Sequence, residues 1–235
     1  MWIIGDGGSP ERAQDNTRAS FEFAIAEWAD GILVHLQETP DHALVLSRSG
    51  MIRTAQGDQS LSALNSKTLE EVHPIRQKDG ASYPLFAFPK LMEWLGTDPI
   101  RAFMKPSGTL LENQESLSGL GKILMESRTR IPTFLVLPST TPSPAGIPAD
   151  RIWRTIEQEP DLPPAKNRSG MQAIIPLEFA LSGQCTGFSK ILVTTPGPVR
   201  EFNSLRRLPG FWGVITPTPY FTRKAAASAS TGGTH

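Results

Sequence analysis

Asp6, Asp15, His35, Ser47, Arg48 and Lys105 are the residues of this chain whose types and surroundings could do chemistry. Asp6 stands in Gly5-Asp6-Gly7-Gly8, directly after a short apolar run, and Asp15 follows shortly afterwards. The two could form a carboxylate pair. The alternative, which local sequence favours, is that Asp6 bonds the amides of a turn and Asp15 caps a helix starting near Thr17. His35 lies between Val34 and Leu36 and reads as an interior histidine rather than a metal ligand, because one imidazole does not make a site. Ser47 has no evident base to make it a nucleophile. His42, in a turn, and His235, at the far end, read as solvated. No Cys/His metal spacing, P-loop or G-x-S-x-G elbow occurs. The GDGG stretch is not a G-x-G-x-x-G fingerprint, and it reads as a tight turn before a phosphate cradle.

These residues sit among short apolar runs that alternate with helical patterns. Strands are expected at 2–4, 31–36, 43–46, 100–104, 133–137, 171–175, 190–194 and 212–216. Helices are expected at 17–28, 88–95, 111–127, 149–158, 177–181 and 199–207. Alternation of this kind means parallel βαβ units, and the strand candidates suit a closed (β/α)8 TIM barrel of the α/β class in a single domain. The Pro-, Ser- and Thr-rich stretch 138–148 reads as an irregular loop. Residues 1–222 form the expected barrel, and 223–235, low in complexity from 225 onward, form an expected disordered tail. In such a barrel Arg48 and Lys105 belong to strand ends that converge on one mouth. There they either meet an anion or pair internally with Asp6 or Asp15.

Bulk properties narrow the partners. Lys plus Arg equals Asp plus Glu, 23 each, so the formal charge is zero and no basic surface favours nucleic acid or anionic membrane. Cys185 has no second cysteine to pair with, which suits a reducing compartment. No apolar run is long enough to cross a bilayer, and the start is too short for a signal peptide, so a cytoplasmic location is expected.

The order of motifs resembles the glycerophosphodiester phosphodiesterases. That family opens with a strand ending in His-Arg-Gly and a Pro-Glu-Asn-Thr motif; here the matching stretches are Asp6-Gly7-Gly8 and Gln14-Asp15-Asn16-Thr17. Phe21, Ala29-Asp30-Gly31-Ile32 and Gln37 continue the match without a gap. Arg53-Thr54 follows the hairpin, and Gly213-Val214-Ile215-Thr216-Pro217-Thr218-Pro219 matches the final strand. The resemblance is strong over the first quarter and the last strand and weaker between.

By this resemblance the family's divalent cation would need ligands that this chain lacks. The first histidine is Asp6, the Glu-x-Asp pair is Leu33 and His35, the second histidine and its neighbouring acid are Ser47 and Arg48, and the third ligand is Phe103. The nearby lysine survives as Lys105, and the terminal-strand aspartate is Pro217. Carboxylates that hold a metal and histidines that move protons are therefore gone. The expectation is a non-catalytic relative without a cofactor. It would bind a phosphorylated or other anionic small molecule through Arg48, Lys105 and the backbone at Gly7 and Gly8, or serve in protein interaction. The alternative is an active phosphoric diester hydrolase of lipid metabolism using a residue set around Asp6, Asp15, His35 and Lys105, with Ser47 as a further candidate.

Overall fold

The computed structural model describes residues 1–98, 100–127, 131–197, 199 and 201–231. Eleven strands are present: β1 Trp2–Asp6, β2 Gly31–Glu38, β3 Leu44–Leu46, β4 Met51–Thr54, β5 Gly57–Ser60, β6 Arg101–Pro106, β7 Thr133–Pro138, β8 Ile152–Thr155, β9 Gln172–Pro176, β10 Lys190–Thr194 and β11 Phe211–Thr216. Eight of them run parallel in the order β1-β11-β10-β9-β8-β7-β6-β2, and β1 also pairs with β2, which closes the barrel.

Alternation along each strand divides the core. Ile4, Leu33, Phe103, Val136, Trp153 and Ile174 fill the barrel interior. Their neighbours on the outer side, such as Ile32 and Val34 or Ile191 and Val193, pack under the helices. The lower end is closed by aromatic rings under cations: Arg101 lies 4.4 Å from the Trp2 ring and Lys190 4.0 Å from Trp212. Such pairs suit the amino-terminal face of a barrel, which serves stability.

The helices are α1 Arg18–Ala26, α2 Phe88–Thr97, α3 Thr109–Glu112, α4 Gln114–Glu126, α5 Leu177–Leu181, α6 Phe202–Leu205 and α7 Pro219–Thr231. Helix α1 begins where Thr17 Oγ accepts the Ser20 amide, so Thr17 is the cap, not Asp15 as expected. Asn113 caps α4 in the same way through the amides of Glu115 and Ser116.

Residues 149–158, expected as a helix, instead form a 3-10 turn, Ala149–Arg151, and strand β8. Ile152, Trp153 and Ile156 mimic helical spacing, but Trp153 faces the interior while Ile152 packs outside. The run at 43–46 is β3, which forms the expected hairpin antiparallel to β2 but, though counted among the eight strand candidates for the barrel, lies outside the parallel set.

No α-helix follows β7 or β8 among the described residues, so the helical ring is incomplete there. Arginines pin the replacing loops. Arg154, on β8, donates to the carbonyls of Pro138 and Thr141, and Arg168 to those of Pro163, Gln184 and Thr186.

The tail expected to be disordered from 223 is helical through Thr231, and residues 232–235 lie outside the described residues. Alanine is the strongest helix former, Ala226 is buried in the outer core, and Arg223 reaches Asp30 at 2.5 Å. The barrel unit therefore runs past residue 222.

Candidate functional site

The carboxyl ends of the strands gather most of the expected residues, but into two places. Asp6 ends β1, where the chain turns through Gly7 and Gly8, both at positive φ. A Cβ on Gly8 would lie 2.6 Å from the Ser20 backbone, so only glycine lets the turn pack under α1. The Gly7 amide donates to the Leu33 carbonyl at 2.9 Å and the Gly8 amide to Gly5 at 3.2 Å. Neither amide is left for an anion, which corrects the expectation that they would help to hold one.

Asp6 does not bond turn amides through its side chain. Its Oδ1 lies 2.8 Å from Nε2 of the buried His35, on β2. Asn16, at positive φ, fixes the same strand by accepting the His35 amide at 2.8 Å. Arg48 closes the group: Nη1 and Nη2 reach the two Asp6 carboxylate oxygens at 3.2 and 3.1 Å, and Nε reaches Asp15 Oδ2 at 3.0 Å. Asp15 and Asp6 thus share one guanidinium, and the network joins β1, β2, the loop before α1 and the segment after β3. The Ser47 hydroxyl donates to the Ser49 carbonyl at 2.8 Å and has no base beside it.

Burial would raise the Asp6 carboxyl, but the His35 hydrogen bond and the Arg48 guanidinium outweigh it and hold it at about 2. Burial pushes the His35 imidazole below its ordinary value, opposed by the Asp6 hydrogen bond, while the charges of Arg48 and Lys105 add to the lowering. Beside an ionised carboxylate, His35 Nε2 must be the donor, so the ring is neutral with its proton on Nε2 at pH 7.

An unfolded chain protonates this histidine near an ordinary value of about 6.5, before the folded one does, so stability is full above that pH and falls as pH drops below it. His35→Gln keeps an N–H for Asp6 without titrating. Urea unfolding at pH 7, 6 and 5 should show wild type losing stability more steeply than this variant over that interval. Equal slopes would mean that His35 is not held neutral.

Lys105 lies elsewhere. It pairs in register with His35 along the sheet and is half-buried, and it lines a cavity of about 270 Å³ over the barrel interior with Leu33, Val136, Thr155, Ile174 and Thr194. Among the described residues no carboxylate forms an ion pair with Lys105. Arg48 and Ser47 line a different cavity of about 520 Å³, between residues 10–16 and the excursion from 47 to 85. Arg48 and Lys105, expected in one pocket, are separated because Asp6 and Asp15 draw the guanidinium to the side. Thr155, Thr194 and Glu157, which the sequence reading did not single out, complete the wall of the Lys105 cavity. Threonines at the last positions of two strands were the available signal.

No family model matches the sequence, and no curated protein matches it. Solved structures do match the fold. An Oleispira antarctica phosphodiesterase in complex with the product sn-glycerol-3-phosphate superposes with a TM-score of 0.71 at 14% identity, over 97% of each chain. The glycerophosphodiester phosphodiesterase from Agrobacterium tumefaciens gives 0.66 at 16% identity, over 95% of this chain and 99% of that one. The enzyme from Thermotoga maritima gives 0.65 at 17%, over 95% and 97%. The fold is that of the glycerophosphodiester phosphodiesterases.

The positions that the sequence resemblance matches to that family's metal ligands do not offer oxygen ligands for a dication here. Leu33 and Phe103 are apolar and buried, and His35 spends its Nε2 proton on Asp6. The remaining carboxylates, Asp6 and Asp15, already face a guanidinium that would repel a metal. Among the described residues no three His, Cys, Asp or Glu side chains converge as a metal cage requires.

Proposed function

We propose that this chain is a non-hydrolytic barrel that binds a small anionic molecule at its mouth through Lys105. The observation that carries the reading is that Lys105 lines the mouth cavity without a carboxylate partner among the described residues. Arg48 is a structural clamp in this reading, because its charge is already met by Asp6 and Asp15. A half-buried ammonium without a counter-ion keeps its charge available to an anion entering the cavity.

The second reading, an active phosphoric diester hydrolase, draws on the Asp6–His35 hydrogen bond, since a carboxylate-oriented imidazole can move protons. It lacks the oxygen ligands that would hold a dication against phosphoryl charge at the matched positions. Purified protein incubated with glycerophosphocholine and magnesium, calcium or manganese should show no turnover above the protein-free control. Metal-dependent turnover that disappears in His35→Ala or Asp15→Ala would overturn the non-hydrolytic reading.

A further inference from the structure

The mouth cavity is mixed in character, and its composition bears on which anion it suits. Leu33, Val136 and Ile174 form an apolar floor, with Lys105 and Thr155 above it. Among the described lining residues Lys105 is the one cation, and the exposed Glu157 lines the same cavity, so a second negative charge on an occupant would meet repulsion rather than a partner. The Thr155 hydroxyl makes no hydrogen bond to any described residue and is free to donate, whereas Thr194 already donates to the Ile175 carbonyl at 3.3 Å. A volume of about 270 Å³ equals about nine waters at roughly 30 Å³ each.

From these features we infer that the mouth binds an amphipathic monocarboxylate of roughly eight to ten non-hydrogen atoms, its carboxylate on Lys105 and Thr155 and its alkyl part on Leu33, Val136 and Ile174. The inference rests on the anion-binding reading and narrows it. A phosphate dianion would leave the apolar floor exposed to water and one of its charges unmatched. A neutral alcohol of equal length would cover the floor but leave the ammonium unpaired.

Calorimetric titration of the whole protein with hexanoate, 1-hexanol, inorganic phosphate and sn-glycerol 3-phosphate separates these cases. Hexanoate should bind at least about tenfold more tightly than the other three, and Lys105→Met should weaken it about tenfold or more, as loss of a charged hydrogen bond does. Thr155→Val should weaken it about threefold, a neutral hydrogen bond's share. In the unmutated protein, hexanoate should slow acetylation of Lys105, followed by peptide mass spectrometry, so the result does not depend on how the variants fold. If sn-glycerol 3-phosphate binds more tightly than hexanoate and needs Lys105, the anion site stands and the monocarboxylate assignment falls. If no anion binds, both fall. Hexanoate binding that is unchanged in Lys105→Met, or that leaves Lys105 acetylation unprotected, also overturns the assignment.

Discussion

Trp153→Ala should cost about 3–5 kcal/mol, the range for emptying a fully buried aromatic site. Trp153 is the largest fully buried side chain, inside the barrel on β8. Its ring touches those of Phe103 at 5.8 Å and Trp212 at 6.4 Å between centroids, so truncation removes the hub of the interior aromatic group. For a chain of this size each kcal/mol shifts Tm by about 2–4 °C, which puts the fall at about 6–20 °C. Trp153→Phe provides the comparison. The indole N–H is buried with no partner, so phenylalanine loses volume but also removes an unmet donor. Its cost should be about 1–2 kcal/mol. Urea unfolding of the two variants checks the pair, and an alanine cost below that of phenylalanine would mean that the interior is not packed as described.

Asp6→Ala should be the most damaging change at the mouth, at about 3 kcal/mol. It strips the buried His35 N–H of its acceptor and leaves Arg48 with Asp15 alone. Asp6→Asn keeps a carbonyl oxygen for His35 and should cost less. Because the Asp6 carboxyl is held at about 2, its contribution is complete above the ordinary carboxylate range and is lost as pH falls through about 2. The stability gap between wild type and Asp6→Ala, measured by urea unfolding, should therefore be constant from pH 7 to pH 5 apart from the His35 contribution and narrow only at lower pH. A gap that is small at pH 7 would mean that the His35 and Arg48 contacts add nothing net.

How far these features could be read from sequence differs by kind. The barrel was legible because apolar runs in register order and the flanking motifs repeat what parallel βαβ units require. Eight strands were counted, yet one of them was wrong and one was missing. Leu44–Leu46 is as apolar as a barrel strand, and only its antiparallel pairing with β2 sets it apart. Ile152–Thr155 is four residues long and sits beside Ile156, so its period is too short to override a helical pattern. At the mouth, the sequence located Asp6, Asp15, His35 and Arg48 in one neighbourhood through motif spacing. Whether the guanidinium of Arg48 turned toward the carboxylates or toward an incoming anion depended on a side-chain torsion, which residue order does not encode. The helix from Pro219 was missed because alanine-rich sequence forms a helix only when something packs against it, and the docking of Ala226 and Arg223 is a tertiary fact.

The pairing of β1 with both β2 and β11 has a consequence for how the molecule is made. As a nascent chain leaves the ribosome, Ile3 and Ile4 emerge about 200 residues ahead of the strand that covers β1 on its other edge, Phe211–Thr216. Until then one flank of β1 is an open hydrogen-bonding edge, the situation that favours pairing with the wrong chain. Closing the ring joins residues about 210 positions apart, a long loop to close and therefore a slow step. Chaperones that cover this edge until β11 is made should accordingly raise the yield of folded protein in a cell.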